Sequence, residues 1–203
     1  MGSFSSKVKN ILAFSILIIY LFLAYSGIEA YHDVRLPGVL QRIAIVYFVV
    51  SLLHLKTTQK TQIITGVVLL LGYWAIMTLI PVPGIGAANL EKGTNLASWL
   101  DSVLLEGHMY RGTVTWDPEG ILSTIPSIVN GIIGLLIGQI LLRDIGKTKK
   151  AQTMAIIGVV LIICGLAWNT IFPINKSLWT SSYVLYTTGL ATTFLAILYY
   201  IID

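Results

Sequence analysis

Charge is scarce in this chain. Of its 203 residues only 11% are Asp, Glu, Lys or Arg, against about 25% in a soluble domain. With 56% hydrophobic residues and a mean hydropathy of +0.83, this excludes a hydrated globular surface, so length becomes a count of membrane spans. Cysteine is nearly absent. The single Cys164 lies in an apolar run, where it reads as a small apolar side chain and excludes an intrachain disulfide. The three histidines have no metal-ligand spacing, so no metal site is expected. No serine sits in a nucleophile elbow and no glycine-rich loop resembles a phosphate-binding loop. The net charge of +4 is small and its basic residues flank apolar segments, so no nucleic-acid partner is expected.

What is present is a series of long apolar segments. They run over Ile11 to Gly27, Pro37 to about His54, Ile63 to Ile80, Asp117 to Leu142, Ala151 to Phe172, and Thr180 to the end. Each is long enough to cross a bilayer as a helix. The fold class read from this is all-α: a polytopic membrane bundle over 1–203 with about six spans. Between the third and fourth spans lies the only long polar interruption, residues 81–120. Within it, Leu96, Trp99, Leu100, Val103 and Leu104 recur at helical spacing, which predicts a short amphipathic helix near 95–106 lying at the interface. Asp117, Pro118 and Glu119 are residues a helix start prefers, so the fourth span is predicted to begin at Asp117.

Basic residues orient the chain. Lys7, Lys9, Lys56, Lys60, Arg143, Lys147, Lys149 and Lys150 fall on one side, in short loops. Arg35, Arg42, Lys92, Arg111 and Lys176 fall on the other, with acids among them. The positive-inside rule then puts both termini in the cytoplasm.

Several polar residues could carry chemistry. Arg42 lies inside the second span, where an arginine costs at least about 2.5–3.5 kcal/mol on insertion scales and needs water or a partner. Arg35 is seven residues earlier, which on a continuous helix puts it on nearly the same face. Such a pair suits phosphate or carboxylate. Snorkelling of Arg42 to the interface is the bland reading. Asp117 and Glu119 could cap a helix or, at the bundle mouth, bind an amine or hydroxyl. Tyr110 and Trp116 could stack on a sugar or belong to an interfacial belt. His108 is a weak candidate, since a lone loop histidine is more often a surface residue. Gly134 and Gly138, four apart, read as a close-packing motif with Asn130 one turn earlier.

Taken together, certain motifs resemble the heparan-α-glucosaminide N-acetyltransferase family and its bacterial membrane homologues. They are Arg35-Leu36-Pro37-Gly38-Val39-Leu40-Gln41-Arg42, Pro81-Val82-Pro83-Gly84, Asp117-Pro118-Glu119-Gly120-Ile121-Leu122-Ser123-Thr124, Asn175-Lys176-Ser177-Leu178-Trp179 and Ser182-Tyr183-Val184. The resemblance implies a membrane acyltransferase that moves an acetyl group from acetyl-CoA, as co-substrate, to an amino sugar such as glucosamine. It implies a bacterial inner membrane, and Arg35, Arg42, Asp117, Glu119, Asn175 and Lys176 as substrate- or cofactor-binding candidates. The family's catalytic histidine lies near a Ser-Leu-Asp-x-x-Arg-Gly-like segment that does not occur here. The catalytic residue is therefore left unassigned, the chain is expected to be a fragment lacking the first and last spans, and the isolated chain is expected to be inactive. Two other readings stay open: a transporter of sugars or small anions, and a non-catalytic membrane subunit. Association with a second copy is open as well.

Overall fold

The computed structural model describes residues 34–202. Among them, five helices are long and apolar enough to cross a membrane: α1 (Val39–Lys56), α2 (Gln59–Leu79), α4 (Ile121–Leu141), α5 (Lys147–Trp168) and α6 (Ser181–Ile202). A short helix, α3 (Leu96–Leu104), sits in the connection between α2 and α4. The protein is thus an all-helical membrane bundle. The span read at Ile11–Gly27 lies outside the described residues.

The long helices are apolar on most of their circumference, as helices facing lipid on one side and neighbours on the other must be. Their ends are set by local chemistry. Thr58 caps α2 by accepting a hydrogen bond from the Thr61 amide, so α2 starts at Gln59, earlier than the apolar run suggests. Pro81 and Pro83 follow its end, and Gly84 and Gly86 take the positive φ of the turn, at 75° and 126°. Pro126 lies within α4, and the hydroxyls of Ser123, Thr124 and Ser127 bond to nearby carbonyls.

Helix starts differ from the sequence reading at several places, α5 for example beginning at Lys147, and two of the differences bear on the polar mouth. The second span begins at Val39, so Arg35 lies in the extended segment before α1 and the shared-helical-face argument for Arg35 and Arg42 does not apply. The fourth span begins at Ile121 with Gly120 as its cap residue, not at Asp117. Residues 117–120 form a turn closed by the Gly120 amide on the Asp117 carbonyl at 3.0 Å. Asp117 does not cap the helix because Arg35 and the Tyr110 amide take its carboxylate.

The glycine reading also needs correction. Cβ atoms added at Gly134 and Gly138 would meet nothing within 4 Å, so these residues line an open groove rather than a tight crossing. The close contact lies between α5 and α6. A Cβ at Gly165 would come within 2.6 Å of the Tyr186 amide nitrogen, and one at Gly189 within 2.7 Å of both the Gly158 carbonyl and the Ile162 nitrogen. These glycines let two backbones touch, as small residues do between membrane helices.

A core of Tyr73, Met77, Val82, Leu96, Ala97, Phe172 and Leu178 fills the end of the bundle below α3. Polar anchors run through it. Tyr73 donates to the Leu178 carbonyl at 2.5 Å, and Ser181 to the Leu70 carbonyl at 2.8 Å. Ser182 donates to the Phe172 carbonyl at 2.6 Å, and Thr180 to the Pro173 carbonyl at 2.9 Å. All three hydroxyl residues at the start of α6 are fully buried.

α3 buries apolar and polar residues alike. Leu96 and Ala97 join the core, Ser98 and Asp101 are buried as well, and Val103 and Leu104 near its end are exposed. A buried carboxylate must find donors in the protein.

Candidate functional site

The polar mouth is assembled from three separate stretches of chain. Arg35 comes from the segment before α1, Asp101 from α3, and Asp117 and Glu119 from the turn before α4. Arg35 holds Asp117 bidentately, with Nε to Oδ2 at 2.9 Å and Nη2 to Oδ1 at 2.5 Å. The same Nη2 also donates to Glu119 Oε2. The guanidinium lies 4.8 Å from the Tyr110 ring centroid, in cation–π geometry. The hydrogen bond to Asp117 raises the pKa of Arg35 above its ordinary value, against the opposing effect of burial.

Counting lone pairs separates the roles of the two acids. A carboxylate has roughly four acceptor positions. Asp117 fills them with the Arg35 fork, the Tyr110 amide at 2.7 Å and the Glu119 amide at 2.9 Å. Its side chain is fully shielded. Asp117 is therefore the internal strut of the turn. Glu119 commits Oε2 to Arg35 and has a side chain 17% exposed. It is the carboxylate with capacity for a ligand.

Asp101 sits beneath this turn. Its Oδ1 accepts from the Ile121 amide at 3.0 Å and its Oδ2 from the Asp117 amide at 3.4 Å. A side chain on α3 thus caps α4, a different helix. Burial pushes the Asp101 pKa up to about 6, although the two amide hydrogen bonds oppose the rise. Gly120 is required here, because a Cβ would lie 2.6 Å from the Asp101 Cγ.

Arg42, in the first turn of α1, is buried and points inward, so snorkelling is excluded. Its Nη2 donates to the Pro118 carbonyl at 2.9 Å and to the Ser123 hydroxyl. The carboxylates of Asp117 and Glu119 pair with Arg35, whereas Arg42 has neutral oxygens. The Trp179 ring lies 4.8 Å from its guanidinium, and Trp179 Nε1 donates to Asn130 Oδ1 at 2.8 Å. Arg42 and Glu119 both line a groove of about 560 Å³ between α1 and α4.

The remaining candidates stand apart. Asn175 shapes the turn before α6: its Oδ1 accepts from the Ser177 and Leu178 amides at 2.9 and 3.3 Å. Lys176 is exposed. His108 pins the entering chain, with Nδ1 2.9 Å from the Val34 carbonyl and its own carbonyl accepting from the Leu36 amide at 2.9 Å. Among the described residues, no group of His, Cys, Asp or Glu is placed to hold a metal ion.

Sequence reasoning missed Asp101, Ser123 and Trp179. Asp101 carried a usable signal, as an acid within a mostly apolar helical pattern. Ser123 and Trp179 carried none beyond lying in motifs already noted, because their partners are remote in sequence.

No family model matches the chain. It is similar to the heparan-alpha-glucosaminide N-acetyltransferase of Homo sapiens, 31% identical over 227 aligned positions that cover 87% of this chain and 34% of that protein. The mouse protein of the same name is 30% identical, with 87% and 35% covered. The chain thus spans about a third of the length of the curated relatives it matches. Over the 87% of its length that aligns, the chain is similar to heparan-alpha-glucosaminide N-acetyltransferases, matching about a third of each of these two proteins.

Proposed function

We propose that this chain forms the acceptor-binding part of a membrane-embedded acyltransferase, in which an acetyl group from acetyl-CoA reaches the amine of an amino sugar such as glucosamine. The observation that carries this reading is the alignment of 87% of the chain with proteins named N-acetyltransferases. Glu119 is the group assigned to the amine. A protonated amine can pair with the Glu119 oxygen that Arg35 does not use, while Arg35 and Asp117 hold the carboxylate in place. Tyr110, over Arg35 and exposed at the rim, offers a face for a sugar ring.

Acetyl-CoA would supply an activated thioester. Its diphosphate needs basic residues, and the opposite end of the bundle provides them. Arg143 and Lys149 are exposed around the α4–α5 connection, and Lys56 and Lys60 flank the α1–α2 turn at that same end. Lys150 is already engaged with the Leu141 carbonyl at 2.7 Å. These basic turns also favour a cytoplasmic placement of that end, and a bacterial inner membrane is the setting the family resemblance implies. A cysteine placed at Lys149 should then resist an impermeant thiol reagent added to intact cells; labelling from outside would reverse the orientation.

Binding tests the acceptor assignment. Glucosamine should protect the purified protein against thermal unfolding, N-acetylglucosamine should protect it much less, and Glu119→Gln should remove the difference. Equal protection by both sugars, or glucosamine binding unchanged in Glu119→Gln, would sink the assignment.

A further inference from the structure

We infer that the groove between α1 and α4 is a binding site for a single-chain lipid carboxylate, a fatty-acid anion, with its head on Arg42 and its chain along Ile43, Val46, Val50 and Leu135. This is independent of the acetyl-transfer reading.

Arg42 is only 6% exposed, yet the ion pairs found among the described residues both belong to Arg35. Arg42 meets neutral oxygens alone, and its Nε and Nη1 nitrogens are buried without a hydrogen-bond partner. A buried charged group left unsatisfied is costly. A ligand oxygen at these nitrogens removes that cost.

Beside the guanidinium lies Trp179, its ring centroid 4.8 Å away and its backbone at φ 54°, a left-handed conformation uncommon for a bulky residue and frequent at ligand clamps. Its indole is tethered to Asn130. Arg42 and Trp179 line the groove together.

Below Arg42 the groove walls down to Val50 and Leu135 are apolar apart from Ser127 and Asn130, whose side chains are engaged with the Thr124 carbonyl and the Trp179 indole. Val50 is eight residues further along α1, or about 12 Å. Such a trough suits an alkyl chain, not a hydrated solute. Glu119 at the rim disfavours a dianion such as a phosphate monoester, whereas a monocarboxylate balances the single charge of Arg42. One trough also favours one chain over the two of a phospholipid.

The test uses the protein in neutral-lipid nanodiscs and dibromostearic acid, whose bromines quench nearby tryptophans. Of the tryptophans, Trp179 lines the groove. Quenching should be saturable and should largely vanish in Trp179→Phe. The methyl ester should bind at least about tenfold more weakly, as should Arg42→Leu, since a charge-assisted hydrogen bond is lost. Should Arg42→Leu fail to fold, Arg42→Lys, which keeps the charge, should bind with intermediate affinity. Glu119→Gln should tighten binding severalfold by removing a like charge. Equal quenching by acid and ester, wild-type binding in either Arg42 variant, or equal quenching of Trp179 by a brominated phosphatidylcholine would each overturn the site and leave only unspecific lipid contact.

Discussion

Replacing Asp101 by Asn should flatten the response of this protein's stability to pH between about 4 and 7. Asp101 is 2% exposed, and burial raises its pKa from 3.8 to about 6. The folded state therefore holds the Asp101 proton more tightly than the unfolded state does. The stability this gives is fully present below the unfolded value and is lost as pH rises through about 6. A shift of roughly two units corresponds to roughly 3 kcal/mol. At roughly 2–4 °C per kcal/mol for a chain of this size, the wild-type midpoint should fall by several degrees relative to Asp101→Asn as pH rises from 4 to 7.5. Asn keeps an oxygen for the Ile121 amide, so the variant should equal or exceed wild type at pH 7.5. Asp101→Ala removes the cap and should lose about 0.5–2 kcal/mol even at high pH. Thermal unfolding followed by tryptophan emission in neutral detergent reads all three proteins. If wild type and Asp101→Asn show superimposable pH profiles, or wild type gains on the variant as pH rises, then burial does not control this carboxyl.

The Arg35–Asp117 fork should behave as one unit. Arg35→Lys and Asp117→Asn should each destabilise the mouth by about 1–3 kcal/mol, and in a double-mutant cycle the pair should cost clearly less than the sum. Simple additivity would mean that the two side chains are not coupled. The two sets of glycines should differ sharply: Gly165→Ala and Gly189→Ala should each cost about 1–3 kcal/mol or more from backbone overlap, while Gly134→Ala and Gly138→Ala should stay within about 0.5 kcal/mol. Comparable losses at all four positions would restore Gly134 and Gly138 as a packing seam.

The membrane-bundle architecture was legible because hydrocarbon demands long apolar helices, a constraint that each segment obeys locally. Boundaries were less so, because the same residues serve two geometries. Asp117, Pro118 and Glu119 match a helix start, but Arg35, 82 positions away, claims the Asp117 carboxylate and leaves a turn. That competition depends on tertiary contact. Arg42 was legible as an inward-facing residue from the cost of a charge in lipid, but its neutral partners were not. The inward turn of Asp101 depends on the amides of Asp117 and Ile121, 16 and 20 positions away. The spacing of Gly134 and Gly138 suggested packing, yet whether a helix lies against that face is set by the neighbours, not by the stripe.

The hydroxyls at the start of α6 have a mechanical consequence. Ser181 and Ser182 grip carbonyls of two different stretches, Leu70 on α2 and Phe172 beyond α5, while Tyr73 on α2 grips Leu178 from the other side. Sliding α6 along its axis would break these bonds together, in a place where water cannot replace them. Piston-like travel of α6 is therefore blocked at this end. Further along, α6 is held by the close backbone contact at Gly158 and Gly189 and by the Asn130–Thr188 hydrogen bond at 2.6 Å, so the helix is fixed to α2, α4 and α5 alike and the Arg35–Asp117 mouth rests on a rigid support.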